Sequence, residues 1–281
     1  MHTQVQSNGK AKPSGRCSGQ VAVVTGGTQG IGKGIVLALL KEDAKVVFCS
    51  RSAHKGAAMM AELDELGLAS GAKYLRADVG DKADVENIVE QAVSSYGRLD
   101  VLVNNAQSFN TYLSISDKPD EHFDISLRTG LYATLWAMRA AYPQMKAQGG
   151  GRIINFCSIN SVTGAKYSSC YNANKEAIRG LTKTAAREWG VDNITVNVIA
   201  PAGLTEVAKT WFESTPAAAE FVKSTVPLGR TGDCEADIGA LILGLASEEA
   251  GYITGQTFFA DGGLFLVNAL PDGVAGMEMP Q

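Results

Sequence analysis

The segment TGGTQGIGKG, residues 25–34, decides the fold class, because five of its ten residues are glycines and it joins two different patterns. The apolar run VAVV (21–24) precedes it, and the helix-like IVLALLK (35–41) follows it. A glycine-rich turn between a strand and a helix suits a phosphate, because the first N–H groups of a helix are unpaired and carry partial positive charge. The segment is therefore a candidate phosphate-binding loop.

Two well-known phosphate-binding motifs almost fit this loop. A nucleoside-triphosphate loop requires G-x-x-x-x-G-K followed by Ser or Thr, and Gly34 stands where that hydroxyl should be. The common dinucleotide motif G-x-G-x-x-G matches Gly30 and Gly32 but meets Ile35 at its third glycine. The loop alone leaves its ligand open, so the rest of the chain has to identify it.

Short β-branched runs alternate with longer helix-like segments along most of the chain. Strands that are apolar on both faces, each followed by a helix, are typical of a parallel sheet covered on both sides. The expected fold is therefore α/β, a doubly wound Rossmann-type parallel sheet of about seven strands with helices on both faces. The predicted strands are 21–25, 45–50, 72–79, 99–105, 152–158, 194–200 and 256–260, and the clearest helical patterns are 35–42, 83–96, 130–145 and 174–189.

No Pro- or Ser-rich linker interrupts this alternation, so one dinucleotide-binding catalytic domain is expected over residues 18–266. The polar segment 1–17 lacks the apolar core of a secretory signal and is expected to be a flexible tail. The turn-rich segment 267–281 is expected to be a second tail.

The composition argues against several function classes. A net charge of −4 over 281 residues gives no support to nucleic-acid binding. No apolar run approaches the roughly 18–20 residues that cross a bilayer, so no membrane partner is expected. Five widely spaced cysteines without a C-x-x-C pair indicate reduced thiols and a cytoplasmic location. No Cys/His cluster has metal-ligand spacing, so no metal site is expected.

Tyr171 and Lys175 are four residues apart in a helical pattern, which places both on one helix face. A tyrosine with a pKa of about 10 is a poor acid–base catalyst near neutral pH, and lowering that pKa to about 7 takes roughly 4 kcal/mol. A lysine ammonium about 4 Å away supplies about that much at an effective dielectric constant of about 20. The pair could then transfer a proton at a carbonyl or an alcohol, although the same spacing is common on solvated helices.

Ser158 ends the predicted strand 152–158 and precedes Tyr171 by thirteen residues. Its hydroxyl could hydrogen-bond a substrate oxygen beside Tyr171, or it could simply cap the turn.

With the glycine loop, NNA at 104–106, Ser158, Tyr171 and Lys175 in this order, the chain resembles the short-chain dehydrogenase/reductase family. The family's loop reads T-G-x-x-x-G-x-G, which Thr25, Gly26, Gly30 and Gly32 match. The resemblance covers roughly residues 18–263 and implies that the loop binds the pyrophosphate of a nicotinamide dinucleotide.

The resemblance also implies a role for each candidate catalytic residue. Tyr171 is the implied general acid/base, Lys175 lowers its pKa and holds the nicotinamide ribose, and Ser158 orients the substrate oxygen. The other implied cofactor contacts are Gly26, Thr28, Gln29, Gly30, Ile31, Gly32, Asp78, Val79, Asn105, Ala106, Pro201, Gly203, Leu204 and Thr205.

The residues after the second predicted strand indicate which dinucleotide is used. Ser50 stands where an acid would accept hydrogen bonds from a free ribose 2′-hydroxyl, and Arg51 after it can pair with a 2′-phosphate. NADP(H) is therefore favoured, with NAD(H) as the alternative.

Three positions depart from the family's pattern. The family's NNAG is NNAQ here, ending at Gln107, and the Pro-Gly after the sixth strand is replaced by PAGLT, residues 201–205. The family's Asn on the helix after strand four falls on Gly130, or on Ser126 in a looser register. In the family this residue helps to hold a water that connects the lysine to solvent, and the Gly130 carbonyl can still hold such a water. Gly130→Asn is therefore expected to change turnover by no more than roughly two- to thirteenfold.

The leading hypothesis is an oxidoreductase that transfers a hydride between NADP(H) and a ketone or secondary alcohol, with Tyr171 as general acid/base. The alternatives are an NAD-dependent secondary-alcohol dehydrogenase and a non-catalytic dinucleotide-binding sensor. The expected partners are a small-molecule carbonyl or alcohol substrate and further copies of the chain, as a homotetramer or dimer assembled through the helical segments at 130–142 and 174–189.

The candidate substrate-pocket residues mix aromatic and amide groups, which suits a mid-sized, partly apolar molecule with a polar handle. The principal candidates are Gln107, Asn160, Tyr167 and Trp211, and the further candidates are Phe109, Tyr112, Val162, Phe212 and Phe221.

Overall fold

The computed structural model of the chain describes residues 15–108 and 112–266. Within them, seven strands form one sheet in the order β3-β2-β1-β4-β5-β6-β7, and every neighbouring pair runs parallel. The strands are β1 (Val21–Thr25), β2 (Lys45–Ser50), β3 (Ala72–Arg76), β4 (Val101–Asn104), β5 (Gly151–Phe156), β6 (Ile194–Pro201) and β7 (Thr257–Ala260). The predicted doubly wound parallel sheet is confirmed.

Ten α-helices connect and cover these strands in the part of the chain that the structure describes. They are α1 (Gly30–Lys41), α2 (Ala53–Glu65), α3 (Lys82–Tyr96), α4 (Asp120–Leu127), α5 (Ala133–Ala147), α6 (Ile159–Thr163), α7 (Ser169–Trp189), α8 (Glu206–Ser214), α9 (Pro216–Thr225) and α10 (Ala240–Ala246). A wide π turn, Arg128–Tyr132, joins α4 to α5, so the predicted helix at 130–145 begins three residues later than expected.

The core lies in two layers, one on each face of the sheet. Side chains alternate along a strand, so Ala22 and Val24 of β1 face one layer while Val21 and Val23 face the other. Helices α1, α2 and α10 cover the first layer, and α3, α5 and α7 cover the second. Burial on both faces explains why the strands appear in the sequence as continuous apolar runs.

The described chain begins inside the segment that was expected to be a tail. Cys17 is fully buried, and its N–H donates to the Glu42 carbonyl at 3.0 Å. Residues 15–17 of the predicted tail at 1–17 are therefore packed against the end of α1, while residues 1–14 and the predicted tail at 267–281 lie outside the described residues. In the described ranges, no helix combines the length and the apolar character needed to cross a membrane.

Candidate active site

A cleft of about 650 Å³ opens at the carboxyl ends of β1, β2 and β4. The strand order reverses between β1 and β4, which is the position where open parallel sheets bind ligands. The cleft is lined by the predicted glycine loop and by residues that follow β2, β3, β4 and β6, among them Ser50, Arg51, Val79, Asn105, Ala106, Gln107 and Thr205.

The glycine loop is shaped by close backbone contacts that side chains would prevent. Gly26 has a φ of +70°, in the left-handed region that favours glycine. A Cβ on Gly32 would lie 2.1 Å from the Gly26 carbonyl oxygen. Asn105 holds this turn from the end of β4, because its Nδ2 donates to the carbonyls of Thr25 at 3.0 Å and Gly26 at 3.2 Å. The first turn of α1 is thereby fixed beside the cleft, which Gly30, Ile31 and Gly32 line.

A carboxylate lies at the N-terminus of α1. The Gly30 N–H donates to Glu206 Oε2 at 3.0 Å, and Glu206 belongs to α8, far along the chain. An anion is stabilised at this position by the unpaired N–H groups of the first helical turn. The donor set of the loop therefore fits an anionic group such as a pyrophosphate.

Two arginines flank the far end of the cleft. Arg51 follows β2 as predicted, and its carbonyl accepts a hydrogen bond from Arg76 Nε at 3.2 Å. Both line a smaller cavity of about 430 Å³, together with Asp78 and Asp84. Arg76 was not predicted from the sequence, although it lies in the predicted strand 72–79; in the structure it ends β3 and pairs in register with Ser50.

Ser158 and Tyr171 are brought together at the end of β5. Ser158 caps α6, because its Oγ accepts from the Asn160 N–H at 3.2 Å. Its side chain also forms a hydrogen bond with Tyr171, which lies in the first turn of α7. Burial raises the pKa of Tyr171 above its ordinary value, and the Ser158 hydrogen bond opposes this only in part. The tyrosine is thus a neutral proton donor at pH 7.

Lys175 lies one helical turn further along α7 and is almost completely buried. Its Nζ donates to the Phe156 carbonyl at 3.0 Å and lies 5.6 Å from the centre of the Tyr171 ring. Burial lowers the pKa of Lys175 to about 8. Desolvation of the phenol is the largest cause of the raised Tyr171 pKa, and the Lys175 ammonium donates to the Phe156 carbonyl. The expected lowering of the Tyr171 pKa by this lysine stays a prediction.

Cys157, next to Ser158, does not compete as a titrating group. Burial raises the pKa of its thiol to about 11, so it stays protonated near neutral pH. No group of three or more His, Cys, Asp or Glu side chains in the described ranges could hold a metal ion.

The remaining cofactor candidates have distinct positions. Val79 lines the cleft, whereas Asp78 accepts from the Gly80 N–H at 2.9 Å and lines the smaller cavity. Thr205 lines the cleft and caps α8 by accepting from the Ala208 N–H at 3.2 Å. Three further candidates, Pro201, Gly203 and Leu204, do not line the cleft. Gly203 and Leu204 instead contact Gly232. Thr28, Gln29 and Ile31 line the cleft with the loop glycines.

The substrate candidates are only partly described. Tyr167 and Tyr112 are exposed, and the Tyr167 carbonyl accepts from Lys118 Nζ at 2.9 Å and from the Leu113 N–H at 3.2 Å. Asn160, Val162 and Phe212 are half-buried. Phe109 and the side chains of Trp211 and Phe221 lie outside the described part of the chain.

Gly130 lies in the wide turn, next to the catalytic helix. A Cβ at this position would lie 2.1 Å from Asn174 Nδ2 and 2.4 Å from Gln107 Oε1. Any side chain at residue 130 would displace the Asn174 amide, which gives a reason to expect a larger effect of Gly130→Asn than the sequence alone indicated. Ser126, the other candidate register, donates its hydroxyl to the Cys170 carbonyl at 3.2 Å.

Fold and site together define a class of protein: an oxidoreductase with a nucleotide cleft at the switch point of a parallel sheet and a Ser–Tyr–Lys cluster beside it. The chain belongs to the short-chain dehydrogenase/reductase family. A family model described as Enoyl-(Acyl carrier protein) reductase matches residues 26–265.

Similar proteins cover nearly the same length. The chain is 38% identical to a 12alpha-hydroxysteroid dehydrogenase of Clostridium sp., over 88% of this chain and 96% of that protein. It is 36% identical to the 3-oxoacyl-[acyl-carrier-protein] reductase FabG of Haemophilus influenzae, over 88% and 99% of the two chains. Among solved structures, a putative short-chain alcohol dehydrogenase from Sinorhizobium meliloti 1021 superposes with a TM-score of 0.82 at 33% identity, covering 89% of this chain and 98% of that one.

Proposed function

We propose that this protein transfers a hydride between NADP(H) and a ketone or secondary alcohol. The observation that carries the proposal is the hydrogen bond between Ser158 and Tyr171, with Lys175 behind the Tyr171 ring and the nucleotide cleft beside them. A half-buried phenol bonded to a hydroxyl that follows a strand suits proton transfer to or from a substrate oxygen.

The residues of the cleft fit a nicotinamide dinucleotide. The glycine loop would hold the pyrophosphate, because its glycines carry no side chains and its helix N-terminal N–H groups already bind an anion, the Glu206 carboxylate, which the pyrophosphate would displace. Val79 would contact the adenine, and Asn105 and Ala106 would line the side of the cleft next to the dinucleotide. Tyr171 and Lys175 would hold the nicotinamide ribose. When bound, the dinucleotide supplies or accepts the hydride.

The protein's own side chains would handle the proton. In the reducing direction, the Tyr171 hydroxyl donates its proton to the carbonyl oxygen as that oxygen becomes an alcohol. Ser158 donates a hydrogen bond to the same oxygen and stabilises the charge that develops on it. The buried Lys175 ammonium favours the resulting tyrosinate. In the oxidising direction each proton movement is reversed.

NADP(H) is proposed over NAD(H) on the basis of charge. Arg51 and Arg76 line the smaller cavity next to Ser50, together with Asp78 and Asp84, so two guanidinium groups would be available near the place where the ribose 2′ position is expected. A 2′-phosphate is stabilised by such a pair, whereas a free 2′-hydroxyl gains little from it.

A mid-sized, partly apolar ketone or secondary alcohol is the proposed substrate class. Two similar proteins are named as a hydroxysteroid dehydrogenase and a 3-oxoacyl-[acyl-carrier-protein] reductase. Their names support a substrate whose reacting carbonyl or hydroxyl oxygen is attached to an apolar carbon skeleton. The free cysteines support the proposal of a reducing, cytoplasmic location.

A turnover assay with NADPH and NADH against a panel of ketones tests the function, with Tyr171→Phe as the key variant. We expect turnover with NADPH and a loss of about 10²–10⁴-fold in Tyr171→Phe, with cofactor binding retained. Turnover with NADH alone would favour the NAD-dependent alternative. Dinucleotide binding without turnover across the panel, and with no difference between wild type and Tyr171→Phe, would favour the sensor.

A further inference from the structure

We propose that the side chains of Gln107 and Asn174 form an amide bridge that positions the catalytic turn of α7. The inference rests on the proposed function, because it concerns the placement of Tyr171 and Lys175. Asn174 acts through these two side chains and is therefore a positioning residue.

The bridge links the Leu131 N–H, in the wide turn, to the Ser126 carbonyl, in α4 just before the turn. The Leu131 N–H donates to Asn174 Oδ1 at 2.8 Å, and Asn174 Nδ2 donates to Gln107 Oε1 at 2.8 Å. Gln107 Nε2 then donates to the carbonyls of Ser126 at 3.4 Å and Ser108 at 2.9 Å. Residues 126 and 131 are five apart, which is the hydrogen-bond spacing of a π turn. Two side-chain amides thus link backbone groups that are one π turn apart.

Only a glycine at residue 130 leaves room for this bridge. A Cβ there would lie within 2.6 Å of Asn174 Nδ2, Asn174 Oδ1 and Gln107 Oε1. Asn174 is fully buried, so an amide with either end unpaired would be strongly unfavourable. Gly130, Gln107 and Asn174 therefore depend on one another.

The bridge joins the cofactor cleft to the catalytic helix. Gln107 lines the cleft two residues after Asn105, which holds the glycine loop. Asn174 directly precedes Lys175 and lies one helical turn after Tyr171. Loss of the bridge would free this turn of α7 to move relative to the cleft, and displacements of about 1 Å lower rates strongly.

The bridge also accounts for the missing Asn of the family's pattern. An amide that relatives are expected to carry at residue 130 is supplied here from the opposite helix, at residue 174. An asparagine at residue 130 should therefore work again if residue 174 is shortened to make room.

The experiment compares wild type with Asn174→Ala, Gly130→Asn and the double variant Asn174→Ala/Gly130→Asn. Each single change is expected to lower kcat by about tenfold or more, and the double variant is expected to return to within about threefold of wild type. The pKa in the pH profile of kcat/KM should shift by about half a unit or more in Asn174→Ala and return in the double variant.

Asn172→Ala is the matched control, because Asn172 is on the same turn of α7 but bonds to the Ala165 carbonyl instead. We expect it to change kcat by less than about threefold. A double variant that is no better than its worse parent, or an Asn174→Ala pH profile identical to that of wild type, would overturn the proposal.

A readout without turnover separates this inference from the proposed function. Hydrogen exchange at the Leu131 amide should be at least about tenfold faster in Asn174→Ala than in wild type, and unchanged in Asn172→Ala. Faster exchange in Asn174→Ala than in wild type, found together with a wild-type protein that has no turnover, would mean that the bridge exists and the proposed function has failed. Unchanged exchange together with unchanged kcat would mean that the bridge positions nothing.

Discussion

The Glu206 carboxylate lies at the helix start where the pyrophosphate of the proposed dinucleotide would bind. It accepts the Gly30 N–H at the start of α1. A phosphate approaching this turn has to displace the carboxylate and is repelled by it. Glu206 therefore lowers the affinity of the cleft for any anionic ligand.

Replacing Glu206 by Gln should tighten NADPH binding, because the amide keeps the size of the side chain and removes the charge. We expect the Kd to fall by about fivefold, corresponding to about 1 kcal/mol, in a fluorescence titration at low salt. Glu213→Gln, on the exposed part of the same helix, is the control and should leave Kd unchanged. Weaker binding in Glu206→Gln would mean that the carboxylate assists the ligand.

Lys175 makes stability depend on pH in a predictable direction. Burial lowers its pKa from 10.5 to about 8, so between these pH values the unfolded chain binds more protons than the folded one. Stability therefore rises with pH across this window. The total contribution is on the order of 3 kcal/mol, at about 1.4 kcal/mol per pKa unit.

Lys175→Met should abolish this dependence. In urea unfolding without cofactor, we expect the stability of the variant relative to wild type to fall by about 3 kcal/mol from pH 7 to pH 10.5. The lost bond to the Phe156 carbonyl shifts the whole curve but not its slope. Lys183→Met, at an exposed site on α7, should follow wild type at every pH. A parallel course for Lys175→Met would contradict a depressed lysine pKa.

At the scale of elements, α1 packs closely against the turn at Cys234–Gly239 because glycines face it. A Cβ on Gly34 would lie 2.4 Å from the carbonyl carbon and oxygen of Cys234. A Cβ on Gly239 would lie 2.7 Å from the Ala38 Cβ. The backbones therefore approach each other to a distance that only glycine permits.

Gly34→Ala should lower the free energy of unfolding by about 1–3 kcal/mol through overpacking, as measured by urea unfolding. Gly244→Ala is the contrasting variant, because nothing lies within 4 Å of a Cβ at that helical position. It should raise stability by about 0.5–1 kcal/mol through helix propensity. Equal stability of Gly34→Ala and wild type would mean that α1 and the turn are further apart in solution.

The strands were predictable from the sequence because burial on both faces leaves an uninterrupted apolar run. The 13-residue helix α2 and the shorter helices α4 and α6 were not among the helices predicted from the sequence, because the burial of each is limited to a few residues. The bounds of the wide turn were also missed, because one extra residue per turn hardly changes a helical pattern.

At the scale of the whole molecule, the candidate site could be predicted wherever its residues lie at the ends of strands or in the order typical of the family. Residues that act through distant contacts could not. Glu206 bonds to a residue 176 positions away, and Gln107 and Asn174 are 67 positions apart. A glycine in a sequence shows that space is needed, but not which side chain fills it.

The predicted assembly into a homo-oligomer can be tested at an exposed aromatic stack. Tyr132 is 48% exposed and stacks on Trp136, whose ring also lies under Arg128 at 5.5 Å. An interface formed by this helix would bury the stack, and a charge within it would be unfavourable. We therefore expect Tyr132→Glu to shift the protein to a smaller species in light scattering. Leu66→Glu, at an exposed residue that follows α2, should leave the mass unchanged. A monomeric wild type would contradict the prediction.

The helix α4, the wide turn and α5 follow one another without a break as one helical path, and the wide turn changes the direction in which the side chains of α5 point relative to those of α4. Each residue of an α-helix advances the path by about 100°, so one additional residue in a turn rotates everything beyond it by that angle. The path before the turn packs on α7, and the path after it packs on α3. These two contacts are compatible only at the present chain length. A change of residue in this region alters a contact, whereas a change in the number of residues would rotate one half of the path away from its neighbour. Length, more than composition, is what this part of the chain has to preserve.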